Sequence, residues 1–342
     1  MTRVLHVVRD WVRPSEGFVA DVVGRSASPA VAFGFAGIRP ELDVPSYRVG
    51  RLAGFGDKPV RYALAAVAWR RRAQLLHAHF GYWAGHAEAV ARRTGRPWSL
   101  ALHGHDLLVE GCAVAARANR VVVPSRFLAD AASRAGVPDE RLRVIPPGLA
   151  LDRFPFRERV PSDRPPTVVF AGRYVEKKGV LDVARALAGV PGIRRVFVGH
   201  GPQEQQLRTL LAELGTEAEL ADGAVPGAVA RALQEADLVV TGSKLAADGD
   251  AETLGLVNLE ALACGAPVVT TRTGGVPEAV GDAAVLVDEG DVPALQAQLQ
   301  QLVDAPGSWA EIGRRGRAHV EARYAIDDRV ADLEAMWDEL VR

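Results

Sequence analysis

The sequence predicts an α/β protein with two doubly wound, Rossmann-like domains, each built around a parallel sheet. Its 342 residues are too many for one ordinary hydrophobic core and suit two. Short apolar, β-branched runs alternate with helix-periodic segments, which is the pattern of parallel sheets covered by helices. The alternation stops near Pro146 and restarts at Thr167, after a polar, proline-rich stretch at 157–166 that is typical of a linker. We therefore assign 1–156 to a first domain and 157–323 to a second.

The individual strands and helices follow from the same alternation. In the first domain we predict strands at 4–8, 31–35, 75–80, 99–103, 121–124 and 144–146, and helices from 19 and at 60–74, 85–93 and 126–135. In the second we predict strands at 167–171, 195–198, 238–241, 268–271 and 284–287, and helices at 180–187, 203–214, 228–235, 254–264 and 292–303. Residues 309–342 are predicted to be helical, with a break around 324–326. Ligands of open α/β sheets bind beyond the carboxyl ends of the strands, so the segments that follow these strands contain the candidate sites.

Composition excludes several classes of protein. The chain is 48% hydrophobic and 24% charged, as globular proteins are. No apolar run approaches the roughly 20 residues of a membrane span, and the first residues lack a signal-peptide pattern. Only Cys112 and Cys264 are present, which excludes a disulfide framework and favours a reducing, cytoplasmic location.

The net charge of −1 is divided unevenly along the chain. Residues 1–160 contain 24 Lys and Arg against 14 Asp and Glu, and the remainder contains 17 against 28. The net charge is therefore +10 for residues 1–160 and −11 for the remainder. This asymmetry indicates either a first domain that faces an anionic surface or acceptor, or two domains that attract one another.

Two glutamates, Glu252 and Glu260, accompany the start of a predicted helix in the second domain. On one continuous helix, eight positions amount to about 800° of rotation, so the two would not share a face. We therefore place Glu252 in the preceding loop and Glu260 inside the helix. The helix N-terminus near Gly255 and Leu256 offers free N–H groups to an anion. Since carboxylates accept strongly from sugar hydroxyls, the arrangement suits a ligand with a sugar, a diphosphate and a ribose in a row. The alternative, two solvated glutamates, is disfavoured by the glycines around them.

A basic loop, 172–179, follows the first predicted strand of the second domain and opens a helix. Arg173 and Lys178 place two cations at the strand end, where they are suited to hold a diphosphate and to stabilise the charge of a departing one. The alternative is an exposed basic turn. The acidic background of this half favours the binding site.

Histidines follow two predicted strands of the first domain. His79 ends one strand, and His103, His105 and Asp106 lie within four residues after another. A histidine can contact a substrate, act as a base or bind a metal. We rank polar contact with a substrate first, a structural role second and a metal third, because nothing nearby completes a metal site.

Three other patterns are weaker. Gly199 opens a Gly-His-Gly-Pro sequence that lacks the third glycine of a dinucleotide fingerprint, since Glu204 stands in its place. Asp248 and Asp250 lack a third hard metal ligand, which favours a solvated acidic loop. The Trp-Arg-Arg-Arg run at 69–72 offers contact with an anionic lipid or phosphate surface, but its simpler interpretation is a cationic helix C-terminus favoured by the helix dipole.

Together these residues resemble the retaining, nucleotide-sugar-dependent glycosyltransferases of glycosyltransferase family four, which have the GT-B fold. The resemblance covers nearly the whole chain and is most specific in Glu252, Glu260 and the Ala263-Cys264-Gly265 sequence that follows. In the first half, the segments at residues 15–18 and 77–81 resemble those of a bacterial subgroup of the family that makes exopolysaccharides and the cell envelope. The fold implies two Rossmann-like domains facing across a cleft, with a C-terminal helix, 324–342, that packs back on the first domain.

The resemblance also implies roles for individual residues. Glu252 would contact the donor hexose and Glu260 its ribose, while Arg173 and Lys178 would bind the diphosphate and His103 would lie beside the donor sugar. The further donor-side candidates are Gly17, Gly172, Gly199, Gly255 and Leu256, and the acceptor-side candidates are His79, His105 and Asp106. No metal and no cofactor besides the nucleotide sugar is implied. Two positions depart from the pattern, because Gly17 stands alone where many members have a Gly-Gly pair and Thr253 replaces a frequent glycine.

We therefore predict a glycosyltransferase that moves a hexose or N-acetylhexosamine from a nucleotide sugar, expected to be a UDP sugar, to an acceptor hydroxyl in glycan, glycolipid or natural-product synthesis. The basic first half favours an anionic or lipid-linked acceptor and peripheral contact with the inner face of the membrane, with no nucleic acid as partner. The rival interpretations are a sugar-nucleotide epimerase or phosphorylase on the same fold, an NAD-dependent oxidoreductase, and a non-catalytic sugar-nucleotide sensor.

Overall fold

The computed structural model describes residues 1–10, 17–27, 29–35 and 44–342. The chain divides into two compact units. The first contains Met1–Gly148 together with Ile326–Arg342, and the second contains Leu149–Ala325. The boundaries expected from the sequence were 156/157 and 323/324, whereas the units meet at 148/149 and 325/326.

The described part of the first unit contains one parallel sheet of seven strands. The strands are β1 (Val4–Asp10), β2 (Pro29–Phe35), β3 (Ser46–Arg48), β4 (Leu75–His79), β5 (Trp98–Ala101), β6 (Arg120–Val123) and β7 (Leu142–Val144). Their spatial order is β3-β2-β1-β4-β5-β6-β7, so the order reverses between β1 and β4. The helices that join them are α1 (Gly17–Arg25), α2 (Asp57–Arg70), α3 (Ala84–Thr94), α4 (His105–Leu108) and α5 (Arg126–Arg134).

The central strands of the first unit are rich in buried apolar residues because both faces of the sheet are covered. Leu5 and Val7 of β1 pack in one core cluster with Leu64 of α2. Val8 of β1 belongs to the opposite cluster, which contains Val19 of α1. Neighbouring residues of one strand thus enter different cores, as the alternation of side chains in a strand requires.

The second unit contains a parallel sheet of six strands. The strands are β8 (Thr167–Ala171), β9 (Arg194–Gly199), β10 (Glu219–Asp222), β11 (Leu238–Val240), β12 (Val268–Arg272) and β13 (Val285–Asp288). The order is β10-β9-β8-β11-β12-β13, so the reversal falls between β8 and β11. The helices are α6 (Val180–Ala188), α7 (Glu204–Glu213), α8 (Ala228–Glu235), α9 (Leu256–Ala263), α10 (Val276–Val280), α11 (Val292–Asp304) and α12 (Trp309–Tyr324).

The C-terminal helix α13 (Ile326–Val341) belongs to the first unit. Trp337 on this helix is 1% exposed and packs edge-on against the imidazole rings of His6 and His77, at centroid distances of 5.5 and 5.1 Å. At the end of the helix, Asp338 accepts hydrogen bonds from the backbone N–H and the hydroxyl of Thr2, at 3.0 and 2.6 Å. The N-terminal segment is thereby tied to the C-terminal helix.

The prediction missed two edge strands, β3 and β10, and two short helices, α4 and α10. The strands have three and four residues, and β10 is mostly exposed, so neither carries the apolar run that marks a strand. The linker predicted at 157–166 was wrong in part, because Arg159 within it is 1% exposed and the segment lies inside the second unit. A search of the described residues finds no helix with the length and apolar character that a membrane crossing requires.

Candidate functional site

The reversal of strand order in the second unit brings together the loops that follow β8 and β11. These are the two loops in which the sequence predicts the cations and the first glutamate. The backbone N–H of Lys244 donates to the carbonyl of Lys177 at 3.0 Å, and the N–H of Ala247 donates to Glu176 Oε2 at 3.3 Å. Since ligands of open α/β sheets bind at such a reversal, this edge of the sheet is the candidate site.

Two adjacent ion pairs join the same two loops. Lys178 Nζ pairs with Glu252 Oε2, and Lys177 Nζ lies 2.9 and 2.8 Å from the two carboxylate oxygens of Asp250. The four side chains are between 11% and 19% exposed. The pairs are therefore largely withdrawn from water, where charge interactions are stronger than on an open surface.

The surroundings keep Glu252 ionised. Burial on its own would raise the pKa of this carboxyl, but Lys178, Lys177 and Arg173 outweigh burial and hold the pKa below its ordinary range. A carboxylate that stays charged at neutral pH can accept hydrogen bonds from hydroxyl groups.

Glycines allow the backbone to approach closely around Glu252. Gly274 has φ of +53°, and a Cβ at this position would lie 1.9 Å from the carbonyl oxygen of Glu252. The next residue, Gly275, donates its N–H to the same carbonyl at 2.9 Å. The Gly-Gly turn after β12 thus holds the loop that carries Glu252, for which only glycine has the required conformation and size.

Helix α9 begins close to Glu252, and a buried polar network holds the helix in place. Its first residue, Leu256, follows Gly255 in the left-handed conformation, and Glu260 lies within the helix and is half-buried. The Oγ1 of Thr241 donates to Asn258 Oδ1 at 2.9 Å and lies 2.7 Å from Thr270 Oγ1. The placement of Glu252 in a loop and Glu260 in the helix agrees with the rotation argument from the sequence.

The remaining donor-side candidates differ in exposure. Arg173 is exposed directly after β8, and Gly172 is half-buried. A Cβ on Gly199 would lie 1.9 Å from the carbonyl oxygen of Gly172, so the close approach of the ends of β8 and β9 is enough to require glycine there. Gly17 lies in the first unit as the first residue of α1, while Ser15 and Glu16, which precede it in the motif, lie outside the described residues.

Four histidines of the first unit, His6, His77, His79 and His103, form a cluster of contacting rings, of which the first three are buried and His103 is half-buried. His6 Nδ1 lies 3.0 Å from His79 Nε2, and His79 stacks on His103 at a centroid distance of 6.3 Å. His103 also contacts the rings of Phe18 and Phe80, at 5.0 and 4.3 Å. Burial lowers the pKa of His79 and of His103 to about 3, so both rings are neutral at physiological pH. Among the described residues, no group of three or more histidine, cysteine or acidic side chains is arranged to hold a metal ion.

His105 and Asp106 are placed differently from one another. His105 is exposed, with its Nε2 3.7 Å from a carboxylate oxygen of Glu110. Asp106 is 2% exposed and accepts hydrogen bonds from the backbone N–H groups of Gly81, His103 and Gly104, at 3.0, 3.1 and 2.9 Å. Its carboxylate thus organises the loops after β4 and β5, and these contacts direct it toward the protein backbone.

Comparison with known proteins decides the family. Residues 2–153 match the model of Glycosyltransferase Family 4, and residues 152–319 match that of Glycosyl transferases group 1. A GDP-mannose-dependent α-(1-6)-phosphatidylinositol monomannoside mannosyltransferase of Mycolicibacterium smegmatis is 33% identical over 265 residues, covering 70% of this chain and 68% of the relative. This chain belongs to glycosyltransferase family 4. The predicted enzyme class is confirmed.

Other relatives of this glycosyltransferase match over different lengths. The GDP-mannose-dependent monoacylated α-(1-6)-phosphatidylinositol monomannoside mannosyltransferase of Corynebacterium glutamicum is 35% identical, but the match covers 48% of the chain and only 45% of the relative. The D-inositol 3-phosphate glycosyltransferase of Segniliparus rotundus is 28% identical over 94% of the chain and 77% of the relative.

Solved structures show the same fold over the full length. HepE of Anabaena, in complex with UDP and glucose, has a TM-score of 0.82 at 18% identity, covering 98% of this chain and 100% of that one. Sucrose-phosphate synthase of Thermosynechococcus elongatus has a TM-score of 0.80 at 19% identity, covering 99% of both. The predicted GT-B class, with two parallel-sheet α/β domains, is confirmed.

The sequence predicted that Asp250 lies in a solvated acidic loop of the glycosyltransferase, and this prediction was wrong. Asp248 is exposed, but Asp250 is 9% exposed and pairs with Lys177. The sequence contained a signal for this pairing, since two consecutive lysines after β8 correspond to two acidic residues, spaced by one, after β11. The polar network of Thr241, Asn258 and Thr270 was also missed, because nothing in the sequence around each residue indicates that they meet.

Proposed function

We propose that this glycosyltransferase moves a hexose or N-acetylhexosamine from a nucleoside diphosphate sugar to an acceptor hydroxyl, with the donor bound in the second unit at the reversal between β8 and β11. The observation that carries the proposal is the joined pair of loops with Lys178 and Glu252 in contact and Arg173 exposed beside them. It supplies cations for a diphosphate and an ionised carboxylate for a sugar within one small region.

The donor diphosphate is bound by Arg173, Lys178 and the N-terminus of α9. The free N–H groups at the start of this helix and the positive end of its dipole favour an anion. Glu252, held ionised by the lysines, accepts hydrogen bonds from the hydroxyl groups of the sugar, and Glu260, four residues into the helix, accepts from the ribose.

In the reaction, the bond between the anomeric carbon and the diphosphate oxygen breaks, and a bond to the acceptor oxygen forms. The electron pair of the broken bond goes to the diphosphate, whose added charge Arg173 and Lys178 stabilise. The proton of the acceptor hydroxyl leaves with the diphosphate or passes to water. We propose retention of configuration at the anomeric carbon, which family membership supports.

Two nucleotide bases are candidates. A UDP sugar is the donor we expect from the sequence. GDP-mannose is the second candidate, because the names of two relatives at 33% and 35% identity specify it. The acceptor we propose is anionic or lipid-linked, in keeping with the charge of +10 on residues 1–160.

The test is a thermal-shift titration of the whole chain, without added metal, against UDP, GDP, their sugars and nicotinamide dinucleotides. A true donor nucleotide at 100 times its Kd stabilises the protein by about 2.7 kcal/mol, so its melting temperature rises. Arg173→Ala should weaken the effect of that nucleotide, whereas Arg315→Ala, at another exposed arginine of the second unit, should not.

The outcomes separate the candidates. Stabilisation by one nucleotide and its sugar, followed by sugar transfer from it, identifies the base. Stabilisation by nicotinamide dinucleotides alone contradicts the proposal, as does a shift that Arg173→Ala leaves unchanged. Product analysis without acceptor distinguishes transfer from epimerisation.

A further inference from the structure

Four large apolar side chains of the first unit are exposed within a single short segment. Leu52 is 36% exposed, Phe55 80%, Tyr62 58% and Trp69 77%. Among the described residues of this unit, the other exposed large hydrophobic residues are Met1 and Val144, and neither is aromatic. A cluster of exposed aromatic residues on a soluble domain commonly marks a surface that another molecule covers.

The two aromatic residues of α2 lie on one face of the helix. Tyr62 and Trp69 are seven residues apart, which on an α-helix amounts to about 700° and leaves them about 20° from alignment and about 10 Å apart along the axis. The opposite face of α2 is already used, because Val60, Leu64 and Ala68 are at most 1% exposed in the core. The outward aromatic residues are therefore not explained by the folding of the unit.

Phe55 lies just before the start of the helix and is 80% exposed. It ends the 3-10 helix Gly50–Phe55, two residues before the first residue of α2, and Leu52 lies within the same 3-10 helix. We call the surface of Leu52, Phe55, Tyr62 and Trp69 the aromatic face.

Basic residues surround the aromatic face. Residues 48–74 contain seven Lys and Arg and one acidic residue, a net charge of +6. The acidic residue, Asp57, is paired with Arg61 at 3.0 Å. Arg70, Arg71 and Arg72 are exposed directly after Trp69, and the guanidinium of Arg93 on α3 lies 5.1 Å from the centre of the Tyr62 ring. The charge around the face is thus positive and largely unneutralised.

We propose that the aromatic face and the arginines at 70–72 dock the first unit on an anionic phospholipid surface. Tyr and Trp are favoured at the level of the lipid headgroups, where the ring is apolar on one side and hydrated on the other. Basic residues at the same level are attracted to anionic lipids, by about 1 kcal/mol for each Lys or Arg near the surface. A surface with both features fits a membrane better than it fits a polyanion in solution, which would use the arginines but leave Phe55 and Trp69 without a partner. The inference goes beyond the proposed function, because the donor residues lie in the second unit.

The experiment is co-sedimentation of the whole chain with large vesicles of phosphatidylcholine alone or with 40 mol% phosphatidylglycerol. We expect binding to the anionic vesicles, weakened by salt, and little binding to the neutral ones. Replacing Arg70, Arg71 and Arg72 by Glu should lower the partition coefficient by on the order of 100-fold or more. Tyr62→Ser with Trp69→Ser should lower it at least tenfold at unchanged net charge.

A matched control variant replaces three exposed arginines elsewhere, Arg134, Arg315 and Arg323, by Glu. It has the same net charge as the first variant and should bind the anionic vesicles almost as the unchanged protein does. Circular dichroism and the melting temperature verify that each variant is folded.

Several results would overturn the proposal. Failure of the unchanged protein to bind anionic vesicles would do so, as would equal losses in the two triple variants, since the effect would then be one of net charge. Binding that survives replacement of both aromatic residues, or binding to dextran sulfate without binding to vesicles, would assign the arginines to a soluble polyanion instead. Sugar transfer to a soluble, uncharged acceptor should be unchanged in all of these variants, so the result does not depend on the donor site.

Discussion

Glu252 and Lys178 are the residues on which the site depends most, because each is charged while its side chain is only 12% and 19% exposed. A buried ion pair gains little over two apolar residues, but removing one partner leaves an unpaired charge in a place that is largely withdrawn from water. A change at either residue is therefore expected to affect both the stability of the fold and the binding of the donor.

We expect Glu252→Gln to lower turnover by on the order of 100-fold or more, because an amide accepts only weakly from the sugar hydroxyls. The same change leaves Lys178 without its carboxylate and should lower the free energy of unfolding by about 3 kcal/mol. Initial rates and chemical denaturation measure the two effects.

The double variant Glu252→Gln with Lys178→Met tests the pairing. It should be more stable than Glu252→Gln alone, since no unpaired charge remains. Glu235→Gln, at an exposed position of α8, is the control and should change neither rate nor stability. If Glu252→Gln retains the rate of the unchanged enzyme, the site assignment fails.

Lys177 and Asp250 act as positioning residues. Their ion pair joins the loops after β8 and β11, next to the ion pair of Lys178 and Glu252. We expect Asp250→Asn to raise the KM for the donor several-fold and to lower kcat less, because the loop that carries Glu252 is held less firmly in place before the donor binds. A fall in the melting temperature without any change in KM would show that the pair has a purely structural role.

At the scale of elements, the segment before β8 is fastened by a buried arginine. Arg159 Nε donates to the carbonyl of Ala236 at 2.6 Å, Nη2 to that of Leu233 at 3.0 Å and Nη1 to that of Arg157 at 2.6 Å. Burial lowers the pKa of Arg159 to about 10, which still leaves it charged at neutral pH. A cation at the C-terminal end of α8 also interacts favourably with the helix dipole.

Arg159→Leu should lower the free energy of unfolding of the second unit by about 3 kcal/mol, since it leaves buried carbonyl groups without donors. Arg157→Leu is a matched control, because Arg157 is exposed and its side chain donates one hydrogen bond, to the carbonyl of Gln234 at 3.1 Å. Its cost should stay below about 1 kcal/mol. Equal losses in the two variants, measured by denaturant unfolding, would contradict the role given to Arg159.

At the scale of the whole molecule, we expect the two units to differ in their response to acid. His6, His77, His79 and His103 are clustered in the first unit, and burial lowers the pKa of each; for His79 and His103 it falls to about 3. Their ordinary pKa in an unfolded chain is about 6.5. Below that pH the unfolded chain binds protons that the folded unit excludes, so the stability contributed by these rings is complete above pH 6.5 and is lost as the pH falls.

We therefore expect the first unit to lose about 1.4 kcal/mol per pH unit for each such histidine once the pH is well below 6.5. Trp337 packs on His6 and His77, so its signal reports the unfolding of the first unit. As the pH falls, the melting temperature of this unfolding transition should decrease before that of the second unit. His77→Asn keeps a partner for Ser99, which lies 2.7 Å from His77 Nδ1, and should make the pH dependence less steep. His200→Gln, at an exposed histidine of the second unit, should not. A pH-independent melting temperature between 6.5 and 5 would refute this account.

The sequence by itself determined most of the strands and helices and the chemical class, but not the edge strands β3 and β10 or the short helices α4 and α10. Apolar runs of strand length and helical periodicity gave the two parallel sheets, because burial of both faces of a sheet leaves a local pattern. Glu252 and Glu260 could be placed in a loop and a helix because eight helical residues do not return to the same face. The cations Arg173 and Lys178 were found because they lie in the loop that follows a predicted strand.

Only the tertiary structure decided which of these residues meet and in which state. The contact of Lys178 with Glu252 joins positions 74 residues apart. Neighbours from distant segments also decide the burial of Asp250 and the role of Arg159 inside the second unit. The same holds for the neutral state of the histidines in the first unit. The aromatic face was only partly visible in the sequence, where the Trp-Arg-Arg-Arg run at 69–72 indicated contact with an anionic surface but Tyr62 fits a core helix as well as a surface one. The physical reason is the same in each case: charge state and exposure are properties of the packed surroundings of a side chain, which the local sequence does not contain.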